Sequence, residues 1–276
     1  VSGWNAWCAC SGDMLTLAEL RIHPIKSLGG FTVGEARLTD RGFMHDRRWM
    51  LVDAEGRFLS QREVTGMACL HTTPTEDGFA VTDLRDGAEL QLPWTLGAGP
   101  DLMVDVWSAR VRAREGHRSW STWFGERLGQ QVRLVYMPDS TRRHVDGRYA
   151  KGLTSFSDGF PWLIISQASL DDLNARLESP VGMERFRPNI VVAGGTAFQE
   201  DHWRDVRIGD VRFMLVKPCA RCTITTIDQR SGERGKEPLR TLAGYRSVNN
   251  KVLFGMNAVG SLDGAVQVGD AVTVIA

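Results

Sequence analysis

From Leu17 onward the chain alternates apolar and polar positions. Ala18, Leu20 and Ile22 face one way and Glu19, Arg21 and His23 the other, the period of a half-buried strand. Pro24 has no amide proton to give a ladder, so the strand is expected to stop there and to leave Lys26 and Ser27 in the following turn. Alternation resumes from Val33 to Leu38. Trp49-Met50-Leu51-Val52, the turn Asp53 to Gly56 and Arg57-Phe58-Leu59 then read as a hairpin. Short strand patterns follow at Phe79 to Val81, Glu89 to Leu92 and Leu102 to Trp107. Trp120, Trp123, Phe124 and Leu128 recur instead at helical spacing and predict a helix over 120–128, its aromatics in the core.

The second half opens on a long polar loop, Asp139 to Ser157. Pro161 to Ser166 reads as a buried strand, and Ser169 as the cap of a helix with Leu170, Leu173 and Leu177 on one face. Pro188 to Ala193 is a further strand ended by Gly194-Gly195. Val206 to Val211 and Val266 to Ile275 carry Gly-Asp pairs that read as tight hairpins, and Pro238 to Tyr245 as a short helix. The expected class is α+β, mainly β. A β-barrel-like N-terminal domain is expected over 14–135 and a second domain with a few helices over 136–276. Residues 1–13, rich in Gly, Ser, Trp and Cys without periodicity, read as a non-native or disordered leader ahead of Met14.

With 42% hydrophobic and 24% charged residues and a formal net charge of zero, the 276-residue chain is neither disordered nor a coiled coil. Nothing points to nucleic acid. The basic run Arg142-Arg143-His144 has no interleaved aromatics and reads as a solvated loop or an anion contact. No window approaches the ~20 apolar residues of a membrane span, and the start lacks a signal-peptide pattern, so a soluble, cytoplasmic protein is expected. Five irregularly spaced cysteines argue against a disulfide framework.

The chemistry concentrates in Lys217-Pro218-Cys219-Ala220-Arg221-Cys222, which leads into the β-branched run Thr223 to Ile227. This reads as a thiolate site at a strand edge, with Lys217 and Arg221 favouring the ionised sulfur. Structural zinc sites usually have four ligands. Here there is no second Cys-x-x-Cys pair: Cys8 and Cys10 are one residue apart, Cys69 is alone, and the six histidines form no short pair. A thioredoxin-like dithiol starts a helix, whereas Thr223 to Ile227 has strand chemistry. On spacing alone, two ordinary buried cysteines remain an equal alternative.

The wider pattern decides between them. Lys-Pro-Cys-x-Arg-Cys with Thr-Ile-Thr-Thr-Ile-Asp, then Lys236-Glu237-Pro238-Leu239-Arg240-Thr241-Leu242, resembles the MOSC family, the molybdenum cofactor sulfurase C-terminal domain, and more narrowly its amidoxime-reducing branch. His23 to Ser27, Asp46-Arg47-Arg48-Trp49 and Phe186 to Val192 resemble the same branch. The resemblance implies that the second domain is a MOSC β-barrel and that the molybdenum cofactor (Mo-molybdopterin) is bound. Cys222 matches the metal ligand, and Cys219 a position that is not one. Lys26, Ser27, Arg47, Arg187, Asn189, Arg221 and Asn257 match or neighbour cofactor-facing positions, Asp46 is expected to orient Arg47, and Asp228 to orient the site or assist proton transfer. Asn257 reads equally well as a turn cap. Phe160 stands where relatives often carry a small polar residue.

The implied activity is reduction of small N-hydroxylated or N-oxide compounds with electrons from a separate flavin, haem or ferredoxin-type donor. Its competitors are a sulfur carrier bearing a persulfide on Cys222 for cofactor biosynthesis and a cofactor-storage module. No iron-sulfur cluster is expected, since no cysteine follows Cys222, and no pyridoxal phosphate. Gly29-Gly30 and Gly194-Gly195 do not form a dinucleotide fingerprint.

Overall fold

The computed structural model describes residues 14–276, so the expected leader, with Cys8 and Cys10, lies outside the described residues. The chain is mainly β, with three short α-helices among the described residues. Its largest sheet has nine strands. In order across the sheet they are Val272–Val274, Asp205–Ile208, Val211–Ala220, Lys251–Gly260, Trp162–Ser166, Ile190–Ala193, Thr16–Ile22 and Phe31–Val33, with Ser247–Val248 pairing on Lys251–Gly260. The first strands of the chain therefore share a sheet with the strands of the second half. Leu17, Leu20, Ile22, Trp162, Ile164, Ile190, Phe213 and Met256 form the core against it.

The alternation at the start of the chain is broken in one place. The register with Ile190–Ala193 slips between Leu17 and Glu19, so Leu17, Leu20 and Ile22 are buried while Ala18 turns outward. A bulge of this kind adds one residue and reverses the phase, which a strict period of two does not anticipate.

The remaining strands of the first half form smaller sheets. Trp49–Val52 does not make the expected hairpin ladder with Arg57 to Leu59. The turn exists, closed by Asp53 Oδ1 accepting from the amides of Glu55 and Arg57 at 3.0 and 2.8 Å. Only a bridge from Val52 to Phe58 follows it, because Ile25 takes the same edge of the strand at Trp49, while Arg133–Tyr136 pairs along the opposite edge. Leu70–Pro74, Gly78–Asp83 and Glu89–Pro93 form a meander whose Phe79 and Val81 pack with Trp49, Leu51 and Phe124. Phe124 is the buried anchor of the helix Arg118–Leu128, which ends at Gly129 in a left-handed conformation (φ 67°) that an L side chain adopts only with strain.

Three further expectations need correction. The cap of the helix Gln167–Asn174 is Ser166, whose hydroxyl accepts from the Ser169 amide at 3.1 Å; the Ser169 hydroxyl is committed to buried Glu200 at 2.7 Å. Ala265–Gln267 and Val272–Val274 are not partners in a hairpin, since the first pairs with Glu35–Thr39 and the second with Asp205–Ile208. The backbone of the intervening Gly269 and Asp270 is taken up by Leu17 at 2.8 Å. The run after Cys222 is not a strand but a 3₁₀ turn, Thr223–Thr226. Its threonine hydroxyls bond back to the carbonyls of Cys222 and Thr223 at 3.0 and 2.8 Å, a local alternative to a ladder that outweighs β propensity. No helix among the described residues is long and apolar enough to cross a membrane.

Candidate functional site

Two antiparallel strands set the floor of a cleft. Val211–Ala220 pairs with Lys251–Gly260, but the register shifts twice, between Leu215 and Lys217 and again between Pro218 and Ala220, around a proline that cannot donate to a ladder. Cys219 thus rides the irregular end of the strand and Cys222 lies just beyond it, at the head of the 3₁₀ turn. Asn257 is in mid-strand rather than in a turn; it lies opposite both Leu163 and Lys217 and donates to the Lys217 carbonyl at 3.2 Å.

Cations enter from both halves of the sequence. Asn189, 1% exposed, accepts from Arg47 Nη1 at 2.8 Å and donates to the Arg21 carbonyl at 3.2 Å, while Arg47 Nη2 donates to the Arg187 carbonyl at 3.1 Å. Arg47 is oriented by Asp46, as expected, at 2.5 Å, and Asp46 also accepts from the His23 amide at 2.8 Å. Lys26 donates to the Phe156 carbonyl at 3.0 Å and pairs with Asp158 at 2.5 Å. Ser27, Arg47 and Arg187 all hold positive φ (67°, 48° and 57°), a costly conformation for side chains larger than glycine that tends to cluster at functional sites.

Burial makes these cations reluctant. It pushes Lys26 down to about 8 despite the opposing carboxylate of Asp158, and it pushes Arg187 down to about 9, with Arg47 adding repulsion. His23 is driven well below its usual range by burial and then by Arg47 and Arg187. Asp158 lies well below the usual carboxylate range, because Lys26, Arg62 and the Trp107 N–H outweigh the opposing effect of burial. Its side chain is still 63% exposed, so solvent screens much of that pairing. The site holds more positive charge than its carboxylates neutralise, the signature of a place meant for an anion.

The cleft has a volume of about 120 Å³, and Lys26, Ser27, Arg47, Arg187, Asn189, Arg221, Cys222 and Asn257 all line it, with Asp158, Phe160 and Cys219 beside them. Asp228 does not line it. Its carboxylate accepts from the amides of Arg230 and Ser231 and pairs with Arg185 at 3.0 Å, and Arg185 in turn reaches the Thr225 carbonyl at 3.5 Å. Cys219 is engaged by Arg221 Nη1 at 3.0 Å. A larger hollow of about 1270 Å³, beside the helix Arg118–Leu128, contains none of these residues.

Sequence reasoning missed two contributors. Arg62 comes from the loop after Leu59 and places its Nε 3.4 Å from Cys222 Sγ, a contact with no periodic or motif signal to betray it. Arg143, expected in a solvated loop or on an anion, is 6% exposed. It donates to the carbonyls of Ser155, Ser157 and Asp158 at 2.8, 2.6 and 2.9 Å, clamping the loop that forms one wall.

The residues suit the molybdenum cofactor. A soft sulfur for the metal sits in one cleft with unneutralised cations for the phosphate. The hydroxyl of buried Ser157 and the Nε of Arg221 are still without partners there.

Residues 14–131 match the MOSC N-terminal beta barrel domain and residues 151–273 match the MOSC domain. The chain is 34% identical to mitochondrial amidoxime-reducing component 1 of Mus musculus, over 93% of this chain and 81% of that protein, and 33% identical to its counterpart in Homo sapiens, over 93% and 82%. It is also 34% identical to the molybdenum cofactor sulfurase of Oryza sativa subsp. japonica, over 87% of this chain but only 32% of that longer protein.

Proposed function

The chain belongs to the MOSC family, and from that premise we propose that it is a molybdenum-cofactor-dependent reductase of small N-hydroxylated or N-oxide compounds, drawing electrons from a separate donor protein of flavin, haem or ferredoxin type. The observation that carries the reading is the convergence of Lys26, Arg47 and Arg187 on the cleft that holds Cys222. A phosphate-bearing cofactor with a thiophilic metal calls for that combination of groups.

In this reading Cys222 holds the metal, and Lys26, Arg47 and Arg187 bind the phosphate and pterin rim from the two halves of the chain. Asn189 fixes the Arg47 guanidinium, and Ser27, Arg221 and Asn257 complete the walls. Phe160 and Phe186 add apolar surface to the lining. Asp228 acts from behind, orienting the thiol-bearing turn through Arg185. When bound, the cofactor supplies the two-electron chemistry, by which an N-hydroxylated compound, two electrons and two protons become the parent N–H compound and water.

The relatives named as sulfurases support a second reading, a sulfur carrier with a persulfide on Cys222, although the chain spans about a third of their length. One experiment separates the two. Cofactor-loaded protein is given benzamidoxime and a reduced viologen dye, and benzamidine is measured against dye oxidised; the reductase reading expects one benzamidine per two electrons. No product, with cyanide-releasable sulfur on Cys222, supports the carrier. NADH alone is expected to drive no turnover until a donor protein is added.

A further inference from the structure

The strands Asp101–Val106 and Ala109–Glu115 pair with Val106 opposite Ala109, so Trp107 and Ser108 alone make the turn between them. Trp107 has φ +57° and Ser108 is not among the positive-φ residues. The first central position of such a turn is ordinarily glycine, and a bulky side chain there is strained. Strain at an exposed hairpin tip persists only when something fixes it, and here three groups do. The indole Nε1 donates to Asp158 Oδ1 at 3.2 Å, the Arg62 guanidinium lies 4.6 Å from the ring centroid, and Phe58 packs at 5.0 Å. Yet Trp107 remains 49% exposed.

Exposure by itself assigns a tryptophan no role. This one is held in place with half its surface free, two contacts from the thiol: its ring meets Arg62, and Arg62 meets Cys222. The Asp158 carboxylate beside it is exposed enough to accept further hydrogen bonds. We propose that Trp107 is the specificity-determining residue of the site: the part of its ring that Arg62 and Phe58 leave uncovered, beside Asp158 of the cleft lining, is the surface on which planar aromatic N-hydroxylated compounds stack while Asp158 accepts from their N–H and O–H groups. Aryl amidoximes have this chemistry; saturated analogues lack the ring. The inference rests on the reductase reading and adds to it the residue that selects among its substrates.

The test compares wild type, Trp107→Gly and Trp107→Phe, all cofactor-loaded and driven by a viologen dye. Glycine suits the backbone conformation and removes the ring, whereas phenylalanine keeps a π face. The ratio of kcat/KM for benzamidoxime to that for acetamidoxime is expected to fall about tenfold in Trp107→Gly, through KM, and to stay within about twofold of wild type in Trp107→Phe. In parallel, benzamidoxime should quench saturably a portion of the tryptophan emission of wild type that is missing from Trp107→Phe. An unchanged ratio in Trp107→Gly, or identical quenching in wild type and Trp107→Phe, overturns the proposal. If wild type reduces neither amidoxime, the reductase reading fails, and the quenching titration still decides whether Trp107 binds the aromatic ligand.

Discussion

Arg47 and Asn189 stand 142 positions apart in the sequence and meet at 2.8 Å, the contact that joins the cation of the first half to the cleft wall of the second. Arg47 is also the partner of Asp46, whose side chain is 1% exposed. Replacing Arg47 by Ala therefore leaves a buried carboxylate without its guanidinium and an amide oxygen short of a donor. A loss of about 3–5 kcal/mol in urea denaturation is expected, with partial recovery in Arg47→Lys. An unchanged midpoint in Arg47→Ala would show that water replaces the guanidinium at no cost.

Lys26 gives the site a pH dependence of defined sign. Its folded-state value of about 8 lies below the ordinary 10.5 of a lysine, so between these values the unfolded chain holds the extra proton. Folding stability contributed by this group thus rises with pH across that window and is lost as pH falls through about 8. Anion binding runs the other way, because the cation disappears as pH rises. Sulfate affinity of cofactor-free protein is expected to show a downward step centred near pH 8, absent from Lys26→Met. A step that persists in Lys26→Met would assign the titration to another group.

Arg143 is a strut rather than a surface charge. Its three carbonyl partners at Ser155, Ser157 and Asp158 fix the loop that carries the carboxylate of the site. Arg143→Met is expected to cost about 3 kcal/mol through unsatisfied carbonyls, and to release the 154–158 amides to faster hydrogen exchange. Exchange unchanged in that segment would contradict the clamp.

Local chemistry made much of the fold legible. The turn chemistry at Gly209-Asp210, the helical spacing of Trp120 to Leu128 and the run Pro161 to Ser166 each correspond to an observed element, because each encodes its geometry within a few residues. The failures were competitions settled at long range. Ile25 took the edge of Trp49–Val52 that the hairpin needed, Leu17 slipped register at a bulge, and the threonines after Cys222 bonded to their own carbonyls. The motif residues of the cleft could be named from the sequence because they fall in short motifs that resemble those of the MOSC family. Arg62, Arg143 and Trp107 could not, since their importance comes only from what folding brings beside them.

The central claim is that Cys222 holds molybdenum in this cleft. Its most direct test is X-ray absorption at the molybdenum edge of cofactor-loaded wild type, Cys222→Ser and Cys219→Ser, which counts the sulfurs bound to the metal. A hard, poorly ionised hydroxyl is a weak substitute for a soft thiolate, whereas Cys219 is engaged with Arg221, 3.0 Å away. Near-stoichiometric molybdenum with one protein thiolate besides the cofactor's own sulfurs is expected in wild type, little change in Cys219→Ser, and loss of that one sulfur in Cys222→Ser with the fold retained by circular dichroism. Equal loss from both substitutions, or an unchanged sulfur count in Cys222→Ser, would contradict the account.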